Sequence, residues 1–222
     1  MGKTFTNSYH TPTTWLVCHG DSITAGFGTS TVNTTNANCF ASLVSSSILA
    51  TKHYAMGMLN FGINGQGFNY VYDVPPSNSF GTLTADAVTR VDPVLAYAGD
   101  KYLVVFAGTN DIFLNGATGA NCWALLQTYI NARITAGWIP ANICVVTMLP
   151  RQSTHESDRT TLNGLIVSNQ VSLGYKIADA GVDPTYGVFA ATANPTLYPD
   201  TIHPADACHT TIKNLIVAQL FP

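Results

Sequence analysis

Four short, nearly all-apolar runs punctuate this chain: Trp15 to His19, Met56 to Phe61, Lys101 to Ala107 and Asn142 to Met148. A strand open to water on one face alternates apolar with polar residues, so runs apolar at almost every position predict strands covered on both faces. The segments between them carry helical spacing instead. Cys122 to Ala136 sets Trp123, Leu126, Ile130 and Ile134 on one face and stops at Gly137, a residue suited to a helix C-terminus. Asp158 to Val171 repeats the idea with Leu162, Leu165, Ile166 and Asn169, and Ala205 to Leu220 reads as a closing helix. Strands alternating with helices predict an α/β fold, a three-layer α/β/α sandwich around a mainly parallel sheet. With no internal repeat or linker, the 222 residues are expected to form one domain over 1–222, residues 1–13 being an N-terminal extension.

Composition narrows the partners. Charged residues are 9% of the chain against a usual figure of about 25%, the net charge is −3, and Lys and Arg form no cluster. Nothing is positioned to neutralise phosphates, which argues against nucleic acid and anionic membranes. No apolar run reaches the roughly 20 residues of a membrane span, and "MGKTFTNSYH" lacks the apolar core of a signal peptide. The expectation is a soluble protein, with a secreted or surface-associated origin left open. "MGKTFT" also fits the loose N-myristoylation pattern, and Asn33-Thr34-Thr35 is a sequon. Five dispersed cysteines (Cys18, Cys39, Cys122, Cys144, Cys208) read as small buried hydrophobes, with one or two bridges allowed.

In open parallel sheets, sites form beyond the carboxyl ends of the strands. Gly20-Asp21-Ser22 follows the first strand, Gly62-Ile63-Asn64-Gly65-Gln66-Gly67 the second, and Gly108-Thr109-Asn110-Asp111 the third. Asp200-Thr201-Ile202-His203-Pro204 precedes the last helix. A serine becomes nucleophilic when a base removes its proton, and that base needs a partner to orient it. Ser22, His203 and Asp200 can fill these roles, because Asp-x-x-His lets one turn bring carboxylate and imidazole to the same side. Acyl transfer also needs donors for an oxyanion. The Ser22 N–H, the Gly65 N–H and the Asn110 carboxamide are the candidates.

These four blocks, in this order, resemble those of the SGNH (GDSL-type) hydrolases. Gly20-Asp21-Ser22-Ile23-Thr24 matches the first block, Asn60-Phe61-Gly62-Ile63-Asn64-Gly65 the second, Gly108-Thr109-Asn110-Asp111 the third and Asp200-Thr201-Ile202-His203-Pro204 the last. "TMLPR" (Thr147 to Arg151) is also similar to the family's pattern, while Cys208 stands where many relatives carry glycine. The resemblance implies a flavodoxin-like sheet, Ser22 as nucleophile, Asp200 and His203 as its partners, and Ser22, Gly65 and Asn110 as the oxyanion hole. Gly62 remains the alternative backbone donor. No metal and no cofactor are implied.

Other features take plainer readings. Gly-Asp-Ser alone arises by chance in roughly one chain in fifteen of this length, so the ordered set of blocks carries the inference. Asp21 reads as a helix N-terminal residue and Asp111 as a loop-fixing one, both supporting the site from outside the chemistry. His19 reads as a half-buried strand-end histidine, His209 as part of the closing helix, and His155 in "HESDR" lacks the His-Glu-x-x-His of zinc proteases. The glycines of residues 62–67 are out of register for Gly-x-Gly-x-x-Gly, and no Gly-x-Ser-x-Gly elbow is present.

The sequence therefore predicts a metal-free serine ester hydrolase acting through an acyl-enzyme on short, acetyl-type esters, O-acetylated carbohydrate among them. Residues 67–80 and 111–121 are expected to shape the pocket for a small-molecule or glycan ester. The alternatives are a non-catalytic glycan-binding or structural module, for which the Thr/Asn-rich composition speaks, and an acyltransferase using the same triad.

Overall fold

The structure, a computed structural model, describes residues 12–32, 34–52, 56–70, 80–152 and 154–222. The N-terminal myristoylation pattern, Asn33 of the sequon and residues 71–79 of the expected pocket stretch lie outside the described residues.

Among those residues five strands form one sheet: β1 (Thr14–Gly20), β2 (Met56–Asn60), β3 (Asp100–Phe106), β4 (Ile143–Val146) and β5 (Lys176–Ala178). All neighbours are parallel, in the order β2-β1-β3-β4-β5, the flavodoxin-like arrangement whose order reverses beside β1. Register places Cys18 beside Asn60 and Gly20 beside Phe106, so the stretches after β1, β2 and β3 emerge at one end of the sheet.

Side chains alternate across a strand, and both sides of this sheet are apolar. Val17, Leu103, Val105, Ile143 and Val145 enter one core. There they meet α3 (Leu83–Asp86), α5 (Gly119–Ala136) and α6 (Glu156–Leu173) through Leu83, Trp123, Leu126, Ile130, Leu162 and Ile166. Leu16, Cys18, Val104, Phe106, Cys144 and Val146 enter the other. This second core is closed by α2 (Phe40–Lys52) and α7 (Asp206–Leu220), through Phe40, Val44, Ile48, Ile212 and Ile216. The three-layer sandwich follows: each fully buried aliphatic side chain contributes roughly 1.5–3 kcal/mol, and a strand apolar on both sides recovers it only between two helical layers. The short helices α1 (Ser22–Ala25) and α4 (Thr109–Phe113) lie at the strand ends.

Differences from the expected elements have local causes. The fourth strand is shorter than Asn142 to Met148, because Pro140–Asn142 forms a tight helical turn and the ladder ends at Val146. Beyond α3 the chain widens into a π-helical turn at Ala87–Val91 and tightens again at Asp92–Ala96. Pro93 explains the change: it has no N–H to give, and its ring crowds the carbonyl four residues back. All five cysteines are buried and free, so the allowed bridges do not form. His19 is fully buried rather than half-buried. No helix among the described residues is long and apolar enough to cross a membrane.

Candidate active site

β1 ends so close to β3 that a Cβ on Gly20 would lie 2.0 Å from Phe106 O. Only a residue without that atom fits. Asp21 follows in extended conformation, and its Oδ1 accepts from Ile23 N at 3.0 Å, the N-cap bond that starts α1. Ser22 is therefore the first residue of a helix, 4% exposed. The helix is held from two strands: Thr24 Oγ1 donates to Phe106 O at 3.2 Å, and Asn60 Nδ2 donates to Thr24 O at 2.7 Å. Asn60 Oδ1 accepts from Gly62 N at 3.0 Å, and Gly62 packs so tightly that a Cβ there would lie 2.2 Å from Ala25 N.

The loop before α7 brings the imidazole to this helix. Asp200 Oδ1 accepts from Ile202 N at 3.0 Å and His203 N at 2.7 Å, closing a turn in which Thr201 has φ +68°. That is a strained conformation for a β-branched residue, and it sits inside the site. Asp200 Oδ2 lies 2.6 Å from His203 Nδ1, and His203 Nε2 lies 2.8 Å from Ser22 Oγ. An ionised carboxylate only accepts, so Nδ1 donates to Asp200, which turns Nε2 toward the Ser22 hydroxyl as its acceptor. Burial works to raise the Asp200 pKa, but the His203 side chain and the two backbone N–H groups outweigh it and hold the carboxyl below its ordinary value. Phe27 flanks the imidazole, ring centres 5.6 Å apart.

The second and third blocks converge on the same place. Gly108 (φ +115°) turns the chain off β3 into α4, which carries Asn110 and Asp111. Asn110, 4% exposed, donates one Nδ2 hydrogen to Gln66 O at 2.9 Å, leaving a second. Asp111 accepts from Phe68 N at 2.9 Å and Asn69 N at 3.1 Å, which ties the loop after Gly65 (φ +75°) to α4. The Gly62 N–H is engaged by Asn60, whereas the Gly65 N–H has no hydrogen-bond partner among the described residues.

Charge is concentrated behind this surface. Burial above all, reinforced by the charge of Asp111, pushes the Asp21 carboxyl up to about 7 against the pull of the Ile23 N–H and Arg151. Burial likewise raises Asp111. Arg151, beyond β4, lies 5.1 Å from the Phe113 ring, and the fields of Asp21 and Asp200 both act on it.

Ser22, Asp200 and His203 are thus joined in one hydrogen-bonded chain, and Asn110 and the Gly65 loop are bonded to each other through Gln66. Asn60, Gln66, Phe27 and Arg151 were not singled out from the sequence for any role. Their parts depend mostly on partners far along the chain; Asn60 and Gln66, inside or beside a block, and Arg151, at the end of "TMLPR", carried a local hint. His155 lies 3.4 Å from Asp158, and the ring of buried His209 accepts from Phe40 N at 3.2 Å. No group of three or more His, Cys, Asp or Glu among the described residues could hold a metal ion.

Residues 18–210 match the GDSL-like lipase/acylhydrolase family. Among solved structures the chain is similar to an aryl esterase of M. smegmatis, with a TM-score of 0.68 at 16% identity over 93% of this chain and 97% of that one. It is also similar to a carbohydrate acetylesterase from Sinorhizobium meliloti, TM-score 0.67 at 14% identity over 93% and 99%. A member of the lipolytic G-D-S-L family from Veillonella parvula gives 0.65 at 15% identity over 94% and 98%. Comparison with curated proteins gives no match.

Proposed function

This chain belongs to the GDSL-like lipase/acylhydrolase family, and from that premise we propose that it is a serine ester hydrolase working through an acyl-enzyme on short-chain esters, acetyl groups on carbohydrate in particular. The observation that carries the reading is the unbroken chain from Ser22 Oγ through His203 to Asp200, with links of 2.8 and 2.6 Å.

In the first step Ser22 Oγ forms a bond to the ester carbonyl carbon while His203 Nε2 takes the hydroxyl proton. The carbonyl oxygen becomes an oxyanion held by the Ser22 N–H, the Gly65 N–H and the remaining N–H of Asn110. Gly65 is preferred to Gly62 because the latter's N–H is already used by Asn60. Collapse breaks the bond to the alcohol oxygen, which receives the proton from His203. Water then attacks the acyl-Ser22 carbonyl, His203 again taking and returning a proton, and the carboxylic acid leaves with Ser22 restored. Asp200 keeps the proton-bearing nitrogen of His203 turned away from Ser22 and stabilises the imidazolium that forms.

Support for short acyl groups on sugar comes from the likeness to the S. meliloti acetylesterase. The test is hydrolysis of p-nitrophenyl esters from acetyl to dodecanoyl alongside acetylated xylan, with Ser22→Ala as control. Expected is a kcat/KM highest at acetyl or propionyl and lost in the variant. Equal rates in both proteins would reject the enzyme reading, and an optimum beyond octanoyl would reject the substrate class.

A further inference from the structure

The oxyanion donors proposed above do not stand on their own loops alone. Gln66, next to Gly65, is fully buried. Its main-chain carbonyl accepts from Asn110 Nδ2 at 2.9 Å, and so sets the direction in which that carboxamide points its other hydrogen. Its side-chain Nε2 donates to Gly81 O at 2.9 Å and to Asp86 Oδ2 at 3.2 Å. One residue thus borders one donor and aims a second.

Asp86 is the anchor. It is fully buried, pairs with Arg90 through both carboxylate oxygens, and receives His19 Nε2 at 3.0 Å. Arg90 also donates to Phe61 O at 3.2 Å, on the strand exit leading to Gly62. His19 Nδ1 lies 2.6 Å from Tyr129 Oη on α5. The carboxylate can only accept, so Nε2 carries a proton; burial lowers the His19 pKa and favours the neutral ring, in which Tyr129 donates to Nδ1. His19 is three residues before Ser22 on β1, so the cluster fastens the strand that presents the serine, the loop that presents Gly65 and the carbonyl that aims Asn110 to one buried carboxylate. Gln66 Oε1 has no partner among the described residues, so the side chain is held through its Nε2 donors alone, and their loss would leave the Asp86 carboxylate and Gly81 O short of a partner.

We propose that Gln66 is a positioning residue for acyl transfer: its side chain, held by Asp86, fixes the Gly65–Gln66 turn and the Asn110 carboxamide where negative charge develops on the substrate. The proposal rests on the hydrolase reading above. Loss of an oxyanion donor costs about 10²–10³ in turnover, and a donor left in place but misdirected costs less.

The experiment is a double-mutant cycle with p-nitrophenyl acetate, using Gln66→Met, Asn110→Ala and the pair, with Ser22→Ala as the reference for chemistry. Gln66→Met keeps the volume and removes both side-chain donors. Expected is a fall in kcat of about 10- to 100-fold with KM changed less than about threefold, and a much smaller effect of the same substitution in the Asn110→Ala background. Affinity for a methylboronic acid, which mimics the tetrahedral state, should fall with kcat while affinity for acetate does not. Gln66→Asn, one methylene short of Asp86, is made in parallel, and the variant that keeps the wild-type melting temperature carries the comparison. A kcat within twofold of wild type, or equal factors in both backgrounds, overturns the proposal while the hydrolase reading stands. Wild-type turnover in Ser22→Ala overturns both.

Discussion

Asp200 holds His203 Nδ1 at 2.6 Å while 52% of its own side chain stays exposed. The pair is therefore short but wet. Substituting a buried triad aspartate costs roughly 10⁴ in turnover, because the histidine is left in the wrong tautomer. Here half of the Asp200 side chain lies in water, so Asp200→Ala should lower kcat by only about 10²-fold, with KM little changed. Steady-state kinetics on a short-chain ester check this. A loss as large as that of Ser22→Ala would show that the exposed carboxylate does more than orient the ring.

Gly28 packs against the main chain and Cβ of His203. A Cβ at this position, where φ is +88°, would lie 2.4 Å from Pro204 O and 2.8 Å from His203 Cβ. Gly28→Ala should push the His203 turn away from Ser22 and reduce kcat by about 10-fold or more. Gly116→Ala is the control: φ is +69° and nothing lies within 4 Å, so it meets the same backbone strain of about 1–2 kcal/mol without displacing His203. Melting temperature should fall in both, turnover only in the first.

Asp21 makes stability depend on pH in an unusual sense. Its carboxyl is raised to about 7 in the folded protein and titrates near 3.9 when unfolded. Between these values the folded state holds a proton that the unfolded state has lost, so the contribution of Asp21 to stability falls as pH rises from about 4 to 7. Asp21→Asn keeps an acceptor for the Ile23 N–H and removes the buried charge. The variant should melt higher than wild type at pH 8 and nearly with it at pH 4.5, with kcat within about tenfold. A variant less stable at pH 8 would contradict this account.

His209 acts in the opposite direction over the same window. Burial is the main cause that lowers its pKa from 6.5 to about 4, so the unfolded chain takes up a proton that the folded one refuses. Its contribution is complete above pH 6.5 and is lost as pH falls toward 4, a total of roughly 3 kcal/mol. His209→Asn retains an acceptor for Phe40 N and should reduce proton uptake on unfolding between pH 4 and 6.5 by about one. Calorimetry across that range reads the slope directly. An unchanged slope would mean that the ring is charged in the folded state.

Much of the site was legible because its geometry is made by short-range bonds. Asp200 and His203 meet through a turn that two hydrogen bonds to Asp200 Oδ1 close, and Asp21 caps α1 two residues away. Both follow from side chains whose oxygen lies within reach of nearby backbone N–H groups. Helix α2 was not anticipated, since a run of serines breaks up the apolar stripe of Phe40, Ala41, Val44 and Ile48. Strand β5 is three residues long, too short to show any period.

The sequence by itself determined the strand–helix alternation, the glycines at the strand exits and the residue types that bear the chemistry, because burial on two faces and local hydrogen bonding are written in adjacent residues. The tertiary structure alone decided that His203 reaches Ser22 across 181 positions and that Asp86 gathers His19 and Gln66. Such contacts join segments that are neighbours only once two helical layers have closed on the sheet. Each is stable for want of water around it, a condition that no local stretch of sequence can create.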